Sequence, residues 1–77
     1  MKNCYVVSNV LYDYTPGMVV IIAKNLEECR ELFTETFFDD YLKDFDKAIV
    51  EESYQVFGVK EEEESRVVSW VHGGVIS

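Results

Sequence analysis

Residues 26–50, LEECRELFTETFFDDYLKDFDKAIV, carry two apolar registers that one straight helix cannot hold together. Leu26, Cys29, Leu32, Phe33 and Phe37 fall within one arc of a helical wheel. Tyr41, Leu42, Phe45, Ala48 and Ile49 fall within another, rotated by roughly a third of a turn. A continuous helix would smear its stripe across both arcs. The pattern therefore predicts a break near Phe38–Asp40, giving two short helices or one bent helix, with Asp39 or Asp40 as the N-cap of the second. Upstream, Asn25 stands where an N-cap belongs, and Glu28 follows three residues later as in a capping box.

Outward from this segment the period changes to that of strands. CYVVSNVL (4–11) is rich in Val and Tyr, and MVVIIA (18–23) is a β-branched run expected of a strand covered on both faces or central in a sheet. Between them DYTPG (13–17) signals a loop, since Pro16 fixes φ and Gly17 permits reversal, so the pair reads as a hairpin. SYQVFGVK (53–60) and RVVSWV (66–71) read as two further strands joined by the acidic turn EEEES, with Gly58 suggesting a bulge or close approach. The order β-β-α(α)-β-β implies an α+β domain spanning 1–77: a four-stranded antiparallel sheet with the helical segment packed on one face.

Composition narrows the function classes. The apolar fraction of 48% suits a globular fold rather than a disordered one, and no apolar run approaches the ~20 residues that span a bilayer. The start, MKNCYVVSNVLYDY, lacks the apolar core of a secretory signal, so a cytoplasmic protein is expected. Cys4 and Cys29 then read as free thiols acting as small hydrophobes, a disulfide between them being the lesser alternative. Charge is unevenly placed. Residues 1–34 hold four acids and three bases (−1), residues 35–64 eleven acids and three bases (−8), and residues 65–77 only Arg66 (+1), which sums to the net −8. Such a field repels nucleic acid and anionic membranes and attracts basic surfaces.

Catalytic signals are few. The single histidine, His72, reads as a strand-end residue, and a Cys4–His72 thiol pair would require their strands to be neighbours. Asp40, Asp44 and Asp46 lack the central Gly of a calcium loop, and the two Cys and one His are too scattered for zinc. Gly73-Gly74 precedes no helix that could cradle phosphate. The expectation is no enzyme, no metal and no cofactor.

What remains is a surface. Asp39, Asp40, Asp44, Asp46, Glu51 and Glu52 are the candidate carboxylates for meeting Lys and Arg side chains, and Tyr12, Tyr14, Phe38 and Tyr41 the candidate aromatic anchors. Glu35, Asp39 and Asp46 would share a helix face if the helix continued. In length, acidity and the placing of strands around an acidic helical segment, the chain resembles small bacteriophage inhibitors of host nucleic-acid machinery, such as anti-CRISPR and DNA-mimic proteins. That resemblance is one of overall character and carries no functional residue across. It implies a protein of the host cytoplasm that blocks the basic nucleic-acid-binding surface of a host protein, itself touching neither nucleic acid nor membrane. The alternative is a small self-associating structural or regulatory subunit, a homodimer pairing through a sheet edge such as the Val-rich first or last strand.

Overall fold

The computed structural model describes residues 2–11 and 15–72. Strands β1 (Lys2–Val10) and β2 (Gly17–Ala23) are followed by helices α1 (Leu26–Phe37) and α2 (Leu42–Val50), then by β3 (Tyr54–Val59) and β4 (Arg66–Val71). The sheet is four-stranded and antiparallel, in the order β3-β1-β2-β4. The α+β architecture expected of the sequence is therefore the observed one. The β-branched run of β2 lies centrally, as its composition required, but so does β1, which was expected as an edge.

The last two strands are not partners. They take one free edge each of the central hairpin, and residues 60–65 carry the chain across one end of the sheet. That crossover is tied down at both sides. Lys2 Nζ donates to the Glu63 carbonyl at 2.7 Å, and the Ser65 hydroxyl donates to Glu28 Oε1 at 2.7 Å. The acidic run is thus a strap over a sheet end rather than a hairpin turn.

Two bulges reset the alternation of side chains. Between Ser8 and Val10 the extra residue is Asn9, at φ 62, which an Asn tolerates and which returns Val10 to the buried side. Between Val67 and Ser69 the extra residue is Val68, opposite the Val20–Ile21 step. Gly58, expected to mark a bulge, pairs regularly with Asn3 and leaves open space where a Cβ would stand.

One face of the sheet carries the core. The cross-strand rows Val56–Tyr5–Ile21–Val67 and Tyr54–Val7–Val19–Trp70 face the helices, α1 over β2 and β4, α2 over β1, with Val56 and Trp70 on the outer strands still about half exposed. Cys29 and Phe33 of α1 and Phe45 and Ala48 of α2 close this layer. Phe33 stacks on Phe45 at 4.7 Å and on Phe37 at 4.8 Å, and Phe37 meets Trp70 edge-on at 5.2 Å. The other face bears the rows Phe57–Cys4–Ile22–Arg66 and Gln55–Val6–Val20–Ser69, with no helix over them.

Candidate partner-binding surface

The helical layer holds the carboxylates. Among the described residues, no strand contains an Asp or Glu: every acid lies on α1, on α2 or in the connections after them. On α1 the buried positions Cys29 and Phe33 leave Glu27, Glu31 and Glu35 exposed as an i, i+4, i+8 ridge, about 6 Å from one to the next. Glu31 and Glu27 were not among the candidate residues, although the helical spacing that buried Phe33 also placed them outward.

The break between the helices lies where the two arcs required it, at residues 38–41. Asn25 caps α1 by accepting from the Glu28 N–H at 2.8 Å, and Glu28 Oε1 accepts in turn from the Lys24 N–H at 2.8 Å. The second cap differs from expectation. Tyr41 occupies the N-cap of α2 without capping it through its side chain, and Asp39 contributes its carbonyl, to the Leu42 N–H at 3.3 Å. Asp39 and Asp40 therefore keep their carboxylates exposed rather than spent on backbone.

Phe38 is the unusual residue of this turn. Its N–H still bonds the Thr34 carbonyl at 2.7 Å, but its backbone stands at φ 58, ψ −154, a conformation close to glycine's own territory. Its ring is 70% exposed. A large apolar side chain in a strained backbone, pointed at solvent, is costly twice over, by about 1–3 kcal/mol for the backbone alone. Glu35 lies in the last turn of α1, where no basic residue offsets the negative end of the helix dipole. Asp39 and Asp40 follow directly, unfavourable to α1 but favourable to the start of α2.

The remaining candidates divide. Asp46 is neutralised, since Arg30 donates to it twice, Nε at 2.8 Å and Nη2 at 3.1 Å, and the guanidinium's proton is held still more firmly by that bond. The shared face of Glu35, Asp39 and Asp46 accordingly does not exist, because the helix does not continue. Asp44 and Glu51 line a small depression with Asn9, Lys47 and Ala48. Glu52 is the residue after the C-cap of α2, at φ 55: its N–H bonds the Ile49 carbonyl and the Ser53 N–H bonds that of Ala48, a Schellman closure in the place where Gly is usual. Tyr41 is no free anchor, being packed on the core with its hydroxyl 2.7 Å from His72 Nε2. Tyr12 and Tyr14 lie outside the described residues. The turn thus brings together Glu35, Phe38, Asp39 and Asp40, and leaves Asp46 and Tyr41 to structural work.

Thiol chemistry is confined by burial. Cys29 lies wholly inside the core, and desolvation pushes its pKa up to about 12. Cys4 is half-buried on the opposite, helix-free face, and both thiols are free. Between the two helices, Leu26, Phe45, Ile49 and Val50 line an open apolar cleft. No described helix is long and apolar enough to cross a membrane. Comparison with known protein families, with curated proteins and with solved structures finds no match.

Proposed function

We infer that this chain is a non-enzymatic acidic binding protein whose α1–α2 turn docks on a basic, Lys/Arg-rich surface of another protein. The surface that fits best is one that otherwise holds nucleic acid, as in the phage anti-defence inhibitors that the chain resembles. Phe38 carries the reading: an exposed ring in a strained backbone, with Glu35, Asp39 and Asp40 around it. An aromatic anchor inside a charged rim is the arrangement that gives affinity at its centre and orientation at its edge. The distribution of charge supports the same view in part, since the described strands carry no carboxylate and those outside the strap 60–65 lie on the helices and in the turns after them. Burial of Cys29 and the engagement of His72 with Tyr41 leave little for nucleophilic catalysis.

The test is capture of partners from a host lysate on the immobilised chain, followed by titration of each identified partner. Binding should fall at least about tenfold between low and high salt, because screening weakens exposed charge pairs. Phe38→Ala should weaken it further, and the partner's nucleic acid should compete. A partner held equally well at high salt and by the Phe38→Ala chain would overturn the reading.

A further inference from the structure

We propose that the outer edge of β3 pairs with the same edge of a second copy of this chain, antiparallel and centred on Val56, so that the two sheets become one. β3 is an edge strand whose strand neighbour is β1. One bond shows which of its backbone groups face outward. The Ser8 N–H donates to the Ser53 carbonyl at 2.9 Å, next along the register from Val7–Tyr54. Bonded and non-bonded pairs alternate along antiparallel strands, so Gln55, Phe57 and Val59 turn their N–H and C=O groups to β1. Tyr54, Val56 and Gly58 turn theirs to the free edge. Such a row of donors and acceptors is completed by another extended backbone.

The strand carries none of the usual guards against that pairing. From Tyr54 to Val59 it has no charge, no proline and no bulge. The opposite edge, β4, is bulged at Val68 and begins with Arg66, so pairing through β3 closes at two copies instead of growing. α2 lies over β1, and Val56 and Phe57 stay 47% and 53% exposed.

Gly58 shows why the occupant is a copy. A glycine inside a strand weakens it and marks a bulge or the close approach of another group. Its pairing with Asn3 is regular, and among the described residues no atom stands within 4 Å of where a Cβ would be. Nothing within one copy therefore calls for glycine here. A two-fold axis through Val56 sets Tyr54 of each copy opposite Gly58 of the other, since both stand two residues from the axis. Tyr54, Val56 and Gly58 share the helix side of the sheet, so each Tyr54 ring lies beside a glycine with no Cβ to crowd it. The edge is self-complementary in backbone and in shape.

Charge takes no part in the fit. Beyond the strand ends Glu51 and Glu52 of one copy meet Lys60 and Glu61 of the other, and each copy carries −8 overall. That like charge opposes association, and salt relieves it. The edge is roughly 20 Å long and supplies about six hydrogen bonds with little buried area, so the dimer is reversible, with a Kd on the order of 100 μM.

Sedimentation equilibrium of the full chain from about 10 μM to about 1 mM tests this. A monomer–dimer equilibrium is expected that tightens as salt is raised, the reverse of docking through the turn. Amide exchange at Tyr54, Val56 and Gly58 should slow as concentration rises. Gly58→Val should weaken association about tenfold without lowering the urea midpoint, because one copy has room for the side chain. Val56→Lys, which sets two ammonium groups together at the axis, should weaken it at least as much. Phe38→Ala should leave the dimer intact, which separates this proposal from the function of the turn. A chain that stays monomeric at 1 mM, a dimer indifferent to both β3 substitutions, or protection that maps to β4 would overturn it.

Discussion

Two exposed apolar features of this small protein differ in almost every respect. The α1–α2 turn offers a single ring, Phe38, in a strained backbone with carboxylates around it. The open sheet face offers Phe57 and several aliphatic side chains on hydrogen-bonded strands, with no carboxylate on any of them. The first is local and electrostatic, so its affinity must depend on salt. The second is broad and apolar, so salt should leave it standing or strengthen it. The two features lie on opposite sides of the sheet.

Both features rest on the same core, and the largest effect should come from damaging it. Phe33 is fully buried and joins the two helices by stacking on Phe37 and Phe45. Phe33→Ala should cost about 3–5 kcal/mol, a large share of the 5–15 kcal/mol that holds a typical domain. Urea unfolding would measure it. A loss below about 1 kcal/mol would mean that the aromatic stack does not hold the helices on the sheet, and the turn would then lack a rigid base.

A smaller effect of opposite sign is expected at the turn itself. Phe38→Gly relieves the positive φ and removes an exposed ring, and should raise stability by about 1 kcal/mol after the entropic cost of glycine. The same change should abolish docking. Stability gained together with binding lost would mark Phe38 as a residue kept for contact. If thermal unfolding showed the variant to be less stable, the ring would be packing somewhere and the contrast between the two regions would weaken.

How far these regions were legible in the sequence follows from the range of the forces that set them. The helix break was readable because the two apolar arcs, through Phe37 and from Tyr41, are local patterns. Strand positions were readable from their β-branched residues. The placing of β3 and β4 on opposite edges was not, because periodicity carries no information about which edge a strand joins. Asp39 looked like a cap from its type, yet the first turn of α2 is tied by its carbonyl. Asp46 looked free because its partner Arg30 is distant in sequence. The open face had left a trace: MVVIIA is apolar at odd and even positions alike, which anticipates two covered faces, and only one is covered by this chain's own helices.

The thiols compare the two sides of the sheet directly. Cys29 is buried beneath the helices, whereas Cys4 is half-buried on the open face. At low protein concentration one thiol should label on mixing and the second only at the rate of unfolding, with a change of rate of several orders of magnitude on adding denaturant. Equal rates for both would mean that the helical layer opens readily, and with it the base of the turn.

The smallest effect concerns the strap that joins the two edges. Glu28 is held below the ordinary carboxylate value of 4.5, first by the Ser65 hydroxyl and next by the Lys24 N–H, so the charged form is the one that folding favours. A depressed folded pKa gives stability that is complete above the unfolded value and is lost as pH falls through the folded one. The advantage of the wild-type chain over Glu28→Gln should therefore be level from neutral pH down to about 4.5 and shrink in more acidic solution. The magnitude should be small, because the group is exposed and its bonds compete with water. An advantage that grows in acid would mean that Glu28 is stabilised in its neutral form. The Ser65 contact would then not be what anchors the strap between the sheet end and α1, and the bond from Lys2 to the Glu63 carbonyl would carry more of that task.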